Sequence, residues 1–111
     1  MVIEQRKNQT HFSNKYSHGK VCCEKHTIEI SMMYVEPQYR NKGYGKKLME
    51  YILEHINIIY PETKMVILSP LPLDTEGLNL KKLMGFYSNF GFKKSVVCPK
   101  DKPYMMEIIL D

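Results

Sequence analysis

Hydrophobic and polar positions along the chain follow the period of a strand first and that of a helix later. The stretch "HTIEISMMYV", His26–Val35, with "KVCC", Lys20–Cys23, predicts an antiparallel hairpin rich in β-branched residues. Strict alternation divides the second strand into two faces: Ile28, Ile30, Met32 and Tyr34 on one, and Thr27, Glu29, Ser31, Met33 and Val35 on the other. Residues 1–19 show no clear period, and we interpret them as an irregular arm with at most one short strand.

Pro37 ends the strand pattern, because it cannot donate to a ladder, and a helical period follows. Apolar residues three or four positions apart predict a helix over Tyr44–Ile59, with an inner face of Leu48, Ile52, His55, Ile56 and Ile59. The apolar run Lys64–Ser69, "KMVILS", is typical of a buried strand. After the loop "PLPLDTEG" a second helix is predicted over Leu78–Asn89, and Gly91 occupies the left-handed position that ends it.

The last segments, "FKKSVVC" and "YMMEIIL", flank "PKDKP" and predict a final antiparallel hairpin. The predicted order is strand, strand, helix, strand, helix, strand, strand. Because no internal repeat or low-complexity linker interrupts the 111 residues, we expect one α/β domain over residues 1–111.

Composition narrows the classes of protein to which the chain can belong. With 43% hydrophobic and 25% charged residues it has the composition of a globular protein, and no run approaches the ~18 apolar residues of a membrane span. The polar start "MVIEQRKNQTHFSNKYSHGK" lacks the apolar middle of a signal peptide, so we expect a cytoplasmic location and no membrane partner. Cys22, Cys23 and Cys98 have neither CxxC nor zinc-ligand spacing, so we expect reduced thiols and no metal.

The charge of +4 favours anionic ligands but is too small to indicate nucleic acid, and we expect no nucleic-acid partner. The basic residues are densest from Arg40 to Lys47, within "VEPQYRNKGYGKKLMEYI". A helix N-terminus leaves backbone N–H groups unpaired, and Gly43 and Gly45 would let those groups approach a phosphate closely. The segment therefore predicts a phosphate or pyrophosphate site; the alternative is a lysine-rich helix start after a glycine turn.

Two better-known phosphate motifs do not fit this segment. The dinucleotide fingerprint requires a third glycine where this chain has Leu48, and the P-loop requires a Gly-Lys-Ser/Thr ending that "GYGKKL" lacks.

Together with its flanks, the segment resembles the GNAT superfamily of acetyl-CoA-dependent N-acetyltransferases. Arg40, Gly43 and Gly45 match the family's Arg/Gln-x-x-Gly-x-Gly/Ala motif after a strand ending in Val-x-Pro, and "LMGFYSNFGF" resembles its second signature. The resemblance covers Lys20 to Leu110. It implies a mixed, mostly antiparallel sheet with a splayed central strand pair flanked by helices. It also implies acetyl transfer from acetyl-CoA to a primary amine of a small molecule, protein lysine or N-terminus, by direct attack in a ternary complex, with CoA as product.

The resemblance also assigns residues to the cofactor. Main-chain groups near Met33 and Val35 would pair with pantetheine, between strands Thr27–Val35 and Lys64–Ser69. The pyrophosphate would be held by Arg40, Asn41, Lys42, Gly43, Tyr44, Gly45 and Lys46.

Two catalytic residues are implied. Tyr87 matches the tyrosine that family members place near the sulfur as general acid, and a phenol retains its proton near neutral pH; the alternative is a core tyrosine. Glu29 occupies the position where one histone-acetylating branch carries a glutamate base acting through water, and an apolar cleft would raise its pKa. Alternatively, Glu29 is solvated or paired across the strands, and His26 or a water relay acts as the base. His55 is interpreted as a packed core histidine. A cysteine nucleophile is not expected, because no histidine and carboxylate accompany the cysteines.

The N-terminal region departs from the family pattern. Typical members have an opening strand and two helices before the central hairpin, where this chain has only about twenty residues. Three alternatives follow: an unusually open acceptor cleft, a second subunit in a homodimer that completes the cleft, or an acyl-CoA-binding module without catalysis. The loop "SPLPLDTEGLN" is longer than is usual for the family and is expected to contribute to the acceptor site. The sequence does not identify the acceptor.

Overall fold

The computed structural model describes residues 1–70, 80–96, 100 and 104–110. Those residues form a seven-stranded sheet with the order β1-β2-β3-β4-β5-β7-β6, in which only the pair β4–β5 is parallel. The elements are β1 (Val2–Arg6), β2 (Gln9–Ser13), β3 (Ser17–Glu24), β4 (Thr27–Val35), a 3₁₀ turn (Pro37–Tyr39), α1 (Tyr44–Ile59), β5 (Met65–Leu68), α2 (Leu80–Ser88), β6 (Lys93–Lys94) and β7 (Met106–Ile109). The predicted mixed, mostly antiparallel sheet is confirmed.

The N-terminal segment is a β-hairpin, so the prediction of an irregular arm over residues 1–19 is wrong. β1 pairs with β2 from Val2↔Ser13 to Arg6↔Gln9, and β2 continues the sheet by pairing with β3. The turn between β1 and β2 places Lys7 at a φ of 48°, a conformation that glycine or asparagine usually supplies. Every residue of β1 is exposed, so the strand shows no alternation of polar and apolar side chains that the sequence could have revealed.

The central hairpin contains a β-bulge in β4. Lys20 of β3 pairs with Met32, whereas the next residue, Val21, pairs with Ile30. Ser31 is therefore the additional residue of the bulge, and its hydroxyl donates to the Lys20 carbonyl oxygen at 3.3 Å.

The bulge changes which face of the sheet each later side chain occupies. Met33 packs against the buried cluster that includes Ile28, and Val35 lies beside Gly45 of α1. We call this side, which α1 covers, the helix face. Glu29 alternates with Ile28 and lies on the opposite side, which we call the outer face. The prediction that Glu29 shares a face with Met33 and Val35 is therefore wrong, because strict alternation cannot show an inserted residue.

α1 spans Tyr44–Ile59, as predicted, and packs on β3 and β4, while its Tyr51 contacts Phe12 of β2 edge-on. Its buried side chains are Leu48, Met49, Ile52 and Ile56. Gly19 of β3 permits the close approach of this helix, since a Cβ there would lie 2.9 Å from Ile52 Cδ1. At the far end of α1 the Tyr60 hydroxyl and Thr10 Oγ1 are hydrogen-bonded at 2.7 Å.

α2 lies beside α1 on the helix face, where Phe86 approaches Gly45 and Tyr87 joins the buried cluster, so neither described α-helix lies on the outer face. Gly91, at a φ of 97°, ends α2 as predicted. The Gly91 N–H donates to the Ser88 carbonyl and the Phe92 N–H to the Tyr87 carbonyl, which is the Schellman pattern. The predicted final hairpin is confirmed between β6 and β7, although Cys98 and the segments 71–79, 97–99 and 101–103 lie outside the described residues. None of the described helices is long and apolar enough to span a membrane.

Candidate active site

The parallel strands β4 and β5 are hydrogen-bonded at one end, which we call the closed end, and unpaired at the other, which we call the open end. Pairing runs from Thr27↔Met65 to Ile30↔Leu68 and then stops, whereas β4 continues to Val35 with only β3 beside it. β5 ends at Leu68, so β4 continues without it in the region where the sequence predicts the splay, and we keep that name for this region. The edge of β4 from Ser31 to Val35 is left without a pairing partner from β5.

At the open end, the turn between β4 and α1 has two residues with positive φ. Asn41 has a φ of 63° and Gly43, the N-cap of α1, a φ of 88°. A left-handed residue followed by a helical one directs successive N–H groups into one concave site, which is a common anion-binding arrangement. A Cβ added at Gly43 would meet nothing within 4 Å, so the space above the turn is open.

The amide donors of this turn are available to a ligand. The first helical hydrogen bond of α1 runs from the Lys47 N–H to the Gly43 carbonyl at 3.1 Å, and the first turn contains no acidic side chain. Among the described residues, the N–H groups of 41–46 have no backbone acceptor. The Arg40 N–H differs, because it donates to the Pro37 carbonyl at 3.3 Å. The amide of Arg40, the first residue of the predicted pyrophosphate-binding set, is thus already paired within the turn.

The Arg40 side chain is directed back along the chain to the end of β4. Its Nε donates to the Val35 carbonyl oxygen at 2.9 Å, and its guanidinium carbon lies 5.2 Å from the centre of the Tyr34 ring. The resemblance implies pantetheine contacts for main-chain groups near Val35, and of these the Val35 carbonyl is already hydrogen-bonded within the protein. Arg40 fixes the position of the turn relative to β4.

Three tyrosines support the turn from the side of β3. The rings of Tyr16 and Tyr44 are stacked with centroids 4.1 Å apart, and Tyr39 contacts Tyr16 edge-on at 4.7 Å. Lys42 lies over Tyr39 and Lys47 over Tyr44, so both ammonium groups remain at the rim of the turn. The sequence did not indicate this cluster, because Tyr16 belongs to the segment that was interpreted as irregular.

The first turn of α1 also contacts α2. A Cβ at Gly45 would lie 3.6 Å from the Phe86 ring and 3.7 Å from Val35 Cγ2, which are ordinary van der Waals distances, so β4, α1 and α2 meet at this position. Phe86 is followed by Tyr87, whose ring is 5.3 Å away. The family motif and the predicted general acid are therefore connected by packed side chains.

Tyr87 is 9% exposed and packs against Phe92 with ring centroids 6.1 Å apart. Burial raises the pKa of its phenol to about 12. Tyr87 is thus a core tyrosine whose phenol stays protonated at physiological pH.

Glu29 lies on the outer face, beside Ile67 of β5 and one residue before the last β4–β5 pair. It lines a pocket of about 310 Å³ with Cys22, Glu24, Lys25, Thr27 and Ile67. Two carboxylates and one ammonium group make this pocket acidic, in contrast to the basic turn at the open end of the splay.

The other candidate residues have structural contacts. His26 is exposed and donates from Nδ1 to the Glu62 carbonyl at 3.1 Å, which ties the β3–β4 turn to the segment before β5. His55 is half-buried, not part of the core, and stacks on Tyr51 at 4.0 Å. Cys22 and Cys23 are free thiols, and burial raises the pKa of Cys23, which disfavours the thiolate. The described residues contain no group of three or more side chains arranged to bind a metal.

Comparison with protein families identifies the class of this chain. Residues 3–94 match the family model described as an acetyltransferase (GNAT) domain, and the chain therefore belongs to the GNAT acetyltransferase family. No sequence among the curated proteins matches it.

Solved structures show the same fold at low sequence identity. Anti-CRISPR protein AcrVA5 is 15% identical with a TM-score of 0.75, over 92% of this chain and 99% of that protein. The PaiA N-acetyltransferase of Thermoplasma acidophilum, solved with coenzyme A, is 17% identical with a TM-score of 0.65, and the match covers 92% of this chain and 60% of that one. The ribosomal-protein-S18-alanine N-acetyltransferase of Escherichia coli is 12% identical with a TM-score of 0.68, over 95% and 71% of the respective chains.

Proposed function

We propose that this protein is an N-acetyltransferase that moves an acetyl group from acetyl-CoA to a primary amine by direct attack in a ternary complex. The observation that carries the proposal is the basic turn of residues 41–46, whose N–H groups have no backbone acceptor in the described part of the chain, at the open end of the β4–β5 splay. Residues 1–111 would form a single domain that acts in the cytoplasm, where its thiols stay reduced.

In this proposal the amides of Asn41–Lys46 hold the pyrophosphate, and Lys42, Lys46 and Lys47 attract it. The unpaired edge of β4 near Met33 pairs with the amides of pantetheine. Five residues of a strand, Ser31–Val35, span ~16 Å, similar to the length of an extended pantetheine arm. The thioester then lies at the closed end of the splay, near Ile30 and Leu68.

The chemistry requires proton transfers at two atoms. Glu29 removes a proton from the substrate amine, directly or through water, as the amine attacks the thioester carbonyl carbon. Tyr87 gives a proton to the departing sulfur, which its high pKa makes available at every physiological pH. No metal takes part in this scheme.

The acceptor enters from the outer face, opposite to the side that carries α1. Because β1 joins β2 through a tight turn, no described helix covers this face, which suits a protein lysine or terminal amine as well as a small molecule. The acidic pocket that contains Glu29 and Glu24 favours a cationic acceptor.

Calorimetric titration with acetyl-CoA, and with CoA lacking the 3′-phosphate, tests the first half of the proposal. Mass spectrometry for acetyl transfer to a panel of amines and basic peptides tests the second half, with Gly43→Glu as the matched inactive variant. Micromolar binding with transfer is the expected result. Binding without transfer to any acceptor would instead indicate a silent acyl-CoA-binding module, and absence of binding would overturn the proposal.

A further inference from the structure

Ser69 carries a buried hydroxyl that no described residue satisfies. Its Oγ is shielded from solvent and has no hydrogen-bond partner among the described residues. The following residue, Pro70, is fully buried, so the segment is anchored in the interior. Buried hydroxyls are nearly always hydrogen-bonded, because the water they lose on folding must be replaced. An unpaired hydroxyl at this position is therefore a candidate donor to a bound ligand.

The position of Ser69 in the sheet points to which ligand group it would meet. Ser69 directly follows Leu68, whose pairing with Ile30 is the last between β5 and β4. It therefore lies at the closed end of the splay, where the proposed path of pantetheine places the thioester. On β4, Ser31 directly follows Ile30 and has the nearest other hydroxyl in the sequence of that strand. That hydroxyl is exposed and already donates to the Lys20 carbonyl.

We propose that the Ser69 hydroxyl donates a hydrogen bond to the carbonyl oxygen of the acetyl thioester. This inference rests on the proposed acetyl transfer and adds a catalytic residue to it. As the amine forms the C–N bond, the carbonyl π electrons move to oxygen, and a fixed donor stabilises the negative charge that develops there. When the carbonyl re-forms, the C–S bond breaks and the sulfur leaves with its electron pair. Ser69 keeps its own proton throughout.

Stability provides the first test, because it separates this role from a structural one. Ser69→Ala removes a hydroxyl that makes no hydrogen bond within the described part of the chain, so the melting temperature is expected to stay the same or rise. Ser69→Thr retains the hydroxyl, and Ser95→Ala is a control at a buried serine elsewhere in the chain. A marked fall in the melting temperature of Ser69→Ala alone would overturn the proposal, because it would mean that the hydroxyl stabilises the fold.

The second test observes the carbonyl itself, using acetyl-CoA labelled with ¹³C at the thioester carbon. Binding to the wild-type protein should shift the ¹³C resonance downfield, Ser69→Ala should abolish most of that shift, and Ser69→Thr should restore it. With an active acceptor, Ser69→Ala should lower kcat by about 10²-fold and leave the KM for acetyl-CoA within about threefold. Ser95→Ala should change neither quantity.

The outcomes distinguish this inference from the proposed function. If the wild-type protein binds no acetyl-CoA, both are overturned. If it binds acetyl-CoA and Ser69→Ala keeps the full ¹³C shift, the role of Ser69 is overturned and the proposed function stands. Loss of the shift in Ser69→Ala, with affinity for CoA unchanged and with recovery in Ser69→Thr, supports it.

Discussion

Arg40 donates a hydrogen bond from Nε to the carbonyl oxygen of Val35, 2.9 Å away, and so ties the basic turn to the last residue of β4. The family motif contributes an arginine at this position, and its positive charge alone would suggest a phosphate ligand. The observed contact gives it a second task, since the distance between the amides of the turn and the unpaired edge of β4 depends on it. Arg40 thereby holds the two parts of the proposed cofactor site, the turn and the edge of β4, in a fixed relative position.

Arg40→Ala is expected to weaken CoA binding by about tenfold, or about 1.4 kcal/mol. The loss should persist at high salt, because it arises from the geometry of the turn as well as from charge. Arg40→Lys should not restore affinity, since lysine has no Nε donor in the same planar geometry. Lys46→Ala, which removes an exposed charge from the same turn, is the control and should show a smaller, salt-dependent loss. Identical salt dependence in Arg40→Ala and Lys46→Ala would contradict the positioning role.

Gly43→Glu is expected to abolish measurable binding of CoA by calorimetry. Gly43 has a φ of 88°, and the open space above it is where the proposed pyrophosphate lies, so a carboxylate there would repel the phosphates. Gly43→Asn is the matched control, because asparagine tolerates the left-handed conformation and adds no charge. It should retain most of the affinity. If Gly43→Glu binds CoA with unchanged affinity, the turn at Gly43 is not the pyrophosphate site.

The sequence predicted some elements closely because their signals are local. α1 has the predicted bounds, since the glycine turn, the helical period and Pro61 mark its two ends. β5 is a short apolar run, and Gly91 ends α2 in the predicted left-handed conformation. In each case residues within one turn or one strand determine the conformation.

The remaining features depend on contacts between distant residues. The β1–β2 hairpin has an exposed strand and a turn with Lys7 at positive φ, so neither alternation nor turn composition indicated it. The bulge at Ser31 exists only in the register of β4 against β3, and it decides that Glu29 and Met33 lie on opposite faces. The burial of the Ser69 hydroxyl likewise follows from tertiary packing, and the only local sign was a serine between an apolar run and Pro70.

Tyr87→Phe is expected to lower kcat by about 10²-fold with little change in the affinity for CoA. The substitution keeps the ring that packs against Phe86 and Phe92, so only the proton donor is lost. Steady-state kinetics with the best acceptor, together with calorimetry for CoA, would separate the two quantities. Equal activity in both proteins would leave Tyr87 with a purely structural role in the core.

The same variant should change how stability depends on pH. Burial raises the pKa of Tyr87 to about 12 in the folded protein, so the unfolded chain loses this proton first as pH rises. Below about pH 10 the phenol is protonated in both the folded and the unfolded state, so it does not change the free energy of unfolding. Between pH 10 and 12 the free energy of unfolding of the wild-type protein should fall by roughly 2–3 kcal/mol relative to that of Tyr87→Phe. Urea unfolding of both proteins at pH 8, 10, 11 and 12 measures the difference. A difference that stays constant across this range would mean that the hydroxyl is solvated in the folded state.

Glu29→Gln is expected to lower kcat/KM most at low pH and least at high pH. Primary alkyl amines have a pKa near 10.4, so near neutral pH almost every acceptor must lose a proton before it attacks, and a general base contributes about 10²-fold or more there. As pH approaches 10 the fraction of neutral amine grows, and the variant should approach the activity of the wild-type protein.

Glu24→Gln is the matched control for this experiment, because Glu24 is an exposed carboxylate of the same pocket. It should raise the KM for a cationic acceptor and leave the shape of the pH profile unchanged, since it removes charge but not the base. If the profile of Glu29→Gln also keeps its shape, Glu29 acts only through its charge. The proton would then pass to water or to His26, whose Nδ1 is occupied by the Glu62 carbonyl and whose Nε2 alone could accept it.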